Sequence, residues 1–250
     1  MIFIRSLFGK IWIYGCIAFG VISSCVIGLF IPRRWLVAYW SYGVLPVALW
    51  GLKVLGGISV EVRGREHLNQ SKAIYAIKHE SALDTYCITP IVTRATMVLK
   101  KELMYIPIFG WAAWLYGLIA VDRGAGASAM KKMLKEAKKV VEDNRPIVIF
   151  PEGHRVRAGT SLKYKPGFLF MAQSLNLPVI PVALNTGMFW PRNSFTHLPG
   201  KAIIEFMEPM MPGKNKEEFI EKLQARIEAK CKELNEEALD KYPYTRVNLG

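Results

Sequence analysis

The sequence predicts an α/β domain with a mixed, largely parallel sheet flanked by helices, preceded by an N-terminal membrane-embedded helical hairpin. Three observations carry that expectation. From residue 58 onward, short apolar runs of β type alternate with stretches of helical period. The first 57 residues instead hold two long apolar segments with basic residues at their ends. The chain as a whole has 52% hydrophobic residues and a mean hydropathy of +0.20, yet its 33 Lys and Arg against 20 Asp and Glu exclude a polytopic helical bundle.

The first apolar segment, Ile11 to Ile31, runs 21 residues without a charge, enough to cross a hydrocarbon core of ~30 Å. It is long for the apolar region of a cleaved signal, and it ends in "PRRW" rather than at a small-residue cleavage site. "ISSC" at Ile22–Cys25 loosely resembles a lipoprotein processing site, but the apolar run continues past the cysteine. The second segment, Trp35 to Leu52, is rich in Trp and Tyr and is broken by Pro46. Basic residues stand at every end: Arg5 and Lys10, Arg33 and Arg34, then Lys53, Arg63 and Arg65. A spanning hairpin would put Arg33 and Arg34 on the side opposite the other clusters, against the positive-inside tendency. The expectation is therefore a hairpin that dips into one leaflet, with a true first span as the alternative. Residues 1–57 form this membrane-associated unit, and residues 58–250 form the sheet domain.

Strands are expected at Ile58–Val62, Ala73–Ile77, Thr96–Leu99, Leu118–Val121, Ile147–Phe150, Val179–Leu184 and Ala202–Phe206. Helices are expected at Ser128–Glu142, where Met130, Met133, Leu134, Ala137 and Val141 recur at helical spacing, and at Pro166–Leu175, stopped by Asn176. The tail from Glu217 to Leu239 reads as an amphipathic helix that docks through Phe219, Leu223, Ile227, Cys231 and Leu234. The four cysteines show neither paired nor metal-type spacing, which fits a reducing compartment. A net charge of +13 calls for an anionic partner: nucleic acid, a phosphorylated small molecule or an anionic lipid surface.

"AIKHESALDTYCI" places one of only four histidines, His79, at the end of an apolar strand, with Asp84 five residues later. Five residues are about 140° around a regular helix, so the two side chains share a face only if His79 lies in the turn before it. Asp84 then reaches back to one imidazole nitrogen, fixes the tautomer and leaves the other free as a base. Taken alone, the spacing favours an ordinary strand-to-helix turn. Two further strand ends add weight. "GLIAVDRG" puts Arg123 just past one strand, and "IVIFPEGHR" puts Glu152, Gly153 and Arg155 just past another. Ligands of open α/β sheets gather outside the carboxyl ends of the strands. "LKYKPG" adds Lys163 and Lys165 before a helix start, where free N–H groups also favour anions. Together these residues read as a base beside an electropositive, phosphate-binding rim.

On these motifs the chain resembles the glycerolipid acyltransferases, within them the 1-acyl-sn-glycerol-3-phosphate (lysophosphatidic acid) acyltransferases. Four blocks carry the resemblance, in the family order: "HESALD" (H-x4-D; His79, Asp84), "GLIAVDR" (Gly117, Arg123), "FPEGHR" (Phe150 to Arg155) and "LPVIPVAL" (Pro178, Pro181). They cover roughly residues 60–206. Three departures stand out: His154 where the family usually has threonine, Val156 where serine is common, and Lys78 where asparagine often precedes the histidine.

The resemblance implies that His79 and Asp84 are catalytic and that no metal or cofactor takes part. The co-substrate is an acyl thioester of coenzyme A or acyl carrier protein, and the acceptor is lysophosphatidic acid. It implies phosphate binding by Arg123 and Arg155, and further substrate binding by Glu152, Gly153, Lys163 and Lys165, with Glu152 orienting a basic residue or a substrate hydroxyl. The expected place is the bilayer of a bacterial inner membrane, with the catalytic domain on the cytoplasmic face. Glycerol-3-phosphate and a lyso-aminolipid remain alternative acceptors.

Rival readings come from other classes. "VDRGAGASA" contains G-x-G-x-x-A (Gly124, Gly126, Ala129), a passable dinucleotide fingerprint, although Asp122 and Arg123 separate it from the strand. A metal site from His79, Glu80 and Asp84 lacks a second histidine at ligand spacing. Nucleic acid is not an expected partner, since it explains the charge but not the apolar N-terminus. A membrane scaffold explains the hairpin and leaves the strand-end motifs unexplained.

Overall fold

The computed structural model describes the chain except for residues 69–70 and 123–125 and the side chain of Ala127. Seven strands form where expected: β1 (Ile58–Arg63), β2 (Ile74–Ile77), β3 (Thr96–Lys100), β4 (Ile119–Val121), β5 (Ile147–Ile149), β6 (Val179–Leu184) and β7 (Gly200–Phe206). They make one sheet in the order β1-β7-β6-β2-β5-β3-β4. Among the described residues β6 and β7 pair antiparallel and the other neighbours pair parallel. The sheet is mixed and largely parallel, and the carboxyl ends of β2, β3, β4 and β5 share one rim.

The helices are α1 (Ile2–Ile27), α2 (Arg33–Gly56), α3 (Ala82–Ile91), α4 (Phe109–Tyr116), α5 (Gly126–Glu142), α6 (Gly167–Leu175), α7 (Thr186–Phe189) and α8 (Lys216–Lys241). Helices cover both faces of the sheet, so β2 and β6 are buried at every position. That is why both read as continuous apolar runs rather than as alternating ones. Alternation persists in where the side chains go. Tyr75 and Ile77 pack with α3 and the hairpin, whereas Ile74 and Ala76 pack with α5, α6 and α8. The C-terminal helix docks as its pattern predicts, burying Leu223, Ile227 and Leu234, each worth roughly 1.5–3 kcal/mol of apolar transfer.

α1 and α2 meet through small residues. A Cβ on Gly51 would lie 2.0 Å from Trp12 Nε1, so only glycine admits the indole there. The Trp12 indole N–H donates to the Val47 carbonyl (3.1 Å), and that of Trp40 to Ser24 Oγ (2.9 Å). Pro46 does not break the second limb as expected. The helix runs through it, with wider π-helical turns at Tyr39–Val44 and Leu52–Gly56. A widened turn relieves the clash between a proline ring and the carbonyl one turn earlier.

At 1.5 Å per residue, the 26 residues of α1 are about 39 Å long, and the helix lies along the domain rather than pointing away from it. Near one end Lys10 Nζ donates to the Ser194 carbonyl (2.7 Å), and just past the other Arg33 Nε donates to the Leu115 carbonyl (3.1 Å). Between them Ile13, Ala48 and Leu52 are buried in the same cluster as β2 and α3. The opposite side of the hairpin leaves Phe8, Ile11, Phe19, Trp35 and Trp50 exposed. This apolar surface has a second source that the sequence reading did not include, in Tyr105, Ile106, Ile108, Trp111 and Trp114, all exposed on and before α4.

Candidate active site

The turn from β2 into α3 builds the pair read from "HESALD". Ser81 caps the helix, its Oγ accepting from the Leu83 N–H (3.1 Å). Asp84, at the third helical position, closes a capping box by accepting from the Ser81 N–H (2.9 Å). The same oxygen accepts from the Glu80 N–H (2.8 Å) and lies 3.0 Å from His79 Nδ1. The other oxygen accepts from Thr186 Oγ1 on α7. Four donors thus converge on one buried carboxylate, and its orientation is over-determined. His79 sits before the helix, which is what brings residues 79 and 84 together despite their angular offset.

The imidazole is held on its face as well. It stacks on Phe150 with centroids 3.9 Å apart and planes 20° apart. Nδ1 engages Asp84, so Nε2 is the nitrogen on the far edge of a side chain that remains 15% exposed. The histidine backbone is fixed from the neighbouring strand end: its N–H donates to Glu152 Oε2 (2.9 Å) and its carbonyl accepts from the Val156 N–H (2.8 Å).

The "PEGHR" segment follows β5, the neighbour of β2. Gly153 adopts φ +82°, and a Cβ there would stand 2.9 Å from Lys165 Nζ, so this turn requires glycine. Glu152 does not lie open on the rim. Its buried side chain also accepts from Lys78 Nζ (2.8 Å), the position of a group that orients others rather than one that meets substrate. Arg155 is half-buried, and its carbonyl accepts from Arg192 (2.8 Å). Burial pushes the Tyr86 hydroxyl up to about 12. Lys163 and Lys165 are exposed. Arg123 lies outside the described residues. The strand before it, β4, ends three strand positions from β2, about 14 Å at ~4.8 Å per strand.

Several site residues escaped the sequence reading. Thr186 follows β6, so the strand-end rule applied to the other three motifs could have found it. Lys78 was noted only as a departure from the family pattern. Its side chain is buried and bonds to Glu152, to the Thr160 carbonyl (2.7 Å) and to both oxygens of Glu228 on α8 (2.8 and 2.9 Å). Burial works against its charge, but Glu152 and Glu228 outweigh it and hold the ammonium above the usual lysine range. Nothing in the charge-rich sequence of α8 distinguishes Glu228 from its neighbours.

The geometry also weighs the rivals. Glu80 is fully buried and accepts from the Gly187 N–H (3.1 Å). Burial, then the Asp84 charge, push its carboxyl well above the usual range, so it is a poor metal ligand. Among the described residues no three His, Cys, Asp or Glu side chains converge on a point. Of the dinucleotide fingerprint, Gly124 lies outside the described residues. The strand before it is at the sheet edge rather than at a central switch point.

An apolar cavity of about 150 Å³ lies between α1, α2, α3 and α4. Its wall includes Thr85 and Tyr86, which directly follow Asp84, with Ile17 and Val21 of α1, Trp40 of α2 and Ala113 of α4. A larger groove of about 450 Å³ between His67, Glu205 and Arg226 holds none of the motif residues.

Comparison with known proteins agrees with this arrangement. The chain is 35% identical over 153 residues to the 1-acyl-sn-glycerol-3-phosphate acyltransferase of Pseudomonas aeruginosa, a match covering 61% of this chain and 60% of that protein. It is 29% identical over 207 residues to the enzyme of the same name from Limnanthes douglasii (79% and 72%) and 30% identical over 189 residues to that of Saccharomyces cerevisiae (73% and 60%). The chain thus spans less than two thirds of the bacterial and yeast relatives. The crystal structure of the 1-acyl-sn-glycerophosphate (LPA) acyltransferase from Thermotoga maritima superposes with a TM-score of 0.76 at 22% identity, over 94% of this chain and 98% of that one, and so shares the fold. The sequence model of one family, Acyltransferase, matches residues 59–185, from β1 through the His79–Asp84 turn and the "PEGHR" segment to the end of β6. With half of its length inside that model, the chain belongs to the acyltransferase family.

Proposed function

We propose that the protein transfers an acyl chain from a coenzyme A or acyl carrier protein thioester to the sn-2 hydroxyl of 1-acyl-glycerol-3-phosphate, giving phosphatidic acid. The observation that carries this reading is the histidine–aspartate pair, its carboxylate held by four donors and the far edge of its imidazole left partly exposed. His79 Nε2 removes the proton of the acceptor hydroxyl as its oxygen attacks the thioester carbonyl carbon. The tetrahedral adduct then collapses, the C–S bond breaks, and the thiolate leaves with the proton from the imidazolium. Asp84 holds the tautomer and balances the imidazolium charge. No covalent acyl-enzyme is required, and catalysis needs neither a metal nor a cofactor. Arg155 and Arg123 hold the phosphate, Lys163 and Lys165 add positive potential, and Gly153 shapes the turn beside them.

The two apolar helices support association with a bilayer. The ties of Lys10 and Arg33 to the domain support a hairpin that lies within one leaflet, and the membrane expected for it is a bacterial inner membrane with the catalytic domain on the cytoplasmic face. Single-chain acceptor and double-chain product then exchange with the lipid without passing through water. Purified protein in detergent, given acyl-CoA or acyl carrier protein thioester and a panel of lysolipids, tests this reading with products identified by mass. Phosphatidic acid from lysophosphatidic acid is expected. Preferred acylation of glycerol-3-phosphate or of a lyso-aminolipid would replace the acceptor. In the same assay Arg155→Ala should lower kcat/KM for lysophosphatidic acid roughly 10–100-fold, as expected for one lost charge-assisted pair. A monoacylglycerol, which has no phosphate, should lose little.

A further inference from the structure

The most constrained group outside the catalytic pair is the ion cluster around the buried Lys78 ammonium behind it. Lys78 precedes His79, and the strand alternation carries its side chain to the opposite face of the sheet, where α8 packs. There the three protons of the ammonium find three acceptors: Glu152 Oε1, the Thr160 carbonyl and the Glu228 carboxylate. Tyr164 Oη donates to Glu228 Oε1 (3.1 Å), the same oxygen that accepts from Lys78 at 2.8 Å, and so helps to hold that carboxylate in place. The second oxygen of Glu152 accepts from the His79 N–H. A continuous chain of hydrogen bonds therefore runs from Tyr164 and α8 through Glu228, Lys78 and Glu152 to the backbone of the histidine.

From this connection we infer that Glu228 is a positioning residue for the reaction: by pinning Lys78, it holds Glu152 against the His79 backbone and so sets where Nε2 stands over the acceptor hydroxyl. The inference rests on His79 being the base. Its physical basis is that Glu152 has two competing tasks. If Lys78 were free to swing, its charge would draw Glu152 with it, and the His79 N–H would lose its acceptor. A misplacement of about 1 Å at a reacting group can cost on the order of 10²-fold in rate. A partial loss of the tether should cost less, because Asp84 and Phe150 still hold the ring.

The test is steady-state kinetics on purified full-length protein with lysophosphatidic acid and acyl-CoA, with kcat expressed per folded enzyme. Glu228→Gln keeps size and removes the charge. It should lower kcat about 10-fold and leave the KM of both substrates within about 2-fold. Tyr164→Phe, which keeps both charges, should lower kcat about 2–5-fold with the same KM pattern. A residue that only supported the fold would lower the yield or melting point and leave kcat per folded molecule at the wild-type value, and that result would overturn the inference. Should Glu228→Gln not accumulate, Tyr164→Phe decides alone, with wild-type kcat as the refuting outcome. His79→Ala, run alongside, separates the two levels. If it retains turnover, the base assignment fails. If it is inactive while both tether variants keep full kcat, the base stands and the tether fails.

Discussion

The two faces of the sheet differ in what they leave exposed and in what they hold fixed. On the hairpin face, the outer layer is apolar, with Phe19, Trp35, Trp50, Trp111 and Trp114 all exposed, and the histidine on that side keeps one edge of its ring open. On the opposite face, the outer surface of α5 is a row of exposed lysines (Lys131, Lys132, Lys135, Lys138 and Lys139), and the lysine on that side, Lys78, is closed off by three acceptors. Two consecutive residues thus take opposite parts. On the proposed function, the group that exchanges a proton with a lipid hydroxyl is on the side of the exposed apolar layer. A group whose charge must not wander is buried under the layer that meets water, where full pairing rigidifies it.

This contrast fails if the open residue is dispensable, so the largest expected effect is on His79. His79→Ala should lower kcat by ~10²–10⁴-fold, the usual worth of a general base, while the protein still folds and binds membranes. Asp84→Asn should be nearly as severe, since it presents the wrong partner to Nδ1. Turnover near wild type in either variant, measured by product mass, would dissolve the distinction between the faces.

The closed residue should show its importance in stability. Lys78→Met leaves the buried Glu152 and the partly exposed Glu228 without their cation, and breaking a buried pair costs ~3–5 kcal/mol. Denaturant unfolding in detergent at neutral pH should show a loss of that order. A loss below about 1 kcal/mol would mean that the cluster is not the fixed element it resembles.

A smaller effect sharpens the description of the hairpin seam. His197 is buried beneath Gly9 and Gly56, and neither ring nitrogen has a partner among the described residues. Burial, then the charges of Lys10 and Arg5, lower it to about 4. A histidine depressed in the fold is neutral there, while the unfolded chain takes up a proton near pH 6.5. Its contribution is therefore intact above about 6.5 and is lost as the pH falls toward 4, a change on the order of 2 kcal/mol. Unfolding midpoints at pH 7 and 4.5 should differ less in His197→Leu than in wild type. An equal difference in both proteins would show that the seam is not what titrates.

Much of the molecule was legible in the chain. The seven strands each carry an apolar β-type run, and α8 carries its docking stripe at Leu223, Ile227 and Leu234, because burial on a defined face writes a period into the sequence. His79 and Asp84 could be paired because their contact is local, within one helix turn of a capping residue. Two features stayed hidden for the same kind of reason. Pro46 predicts a break, but π-helical turns on either side of it let the limb stay helical, and no sequence pattern announces a widened turn. The exposed aromatics around Trp111 and Trp114 look like core residues in sequence, and only their position beside the hairpin marks them as surface.

Sequence alone therefore determined the seven strands, the amphipathic C-terminal helix, the apolar N-terminus and the histidine–aspartate pair, since each rests on residues close together along the chain. Tertiary structure decided that the hairpin lies along the domain, that Glu152 turns inward, and that Glu228 and Thr186 reach residues 78 and 84. Those contacts join positions 74 to 150 residues apart (Lys78 to Glu152 and to Glu228, with 102 from Asp84 to Thr186). Side chains so far apart are brought together by the order in which strands pair and helices pack, and no local periodicity records that order.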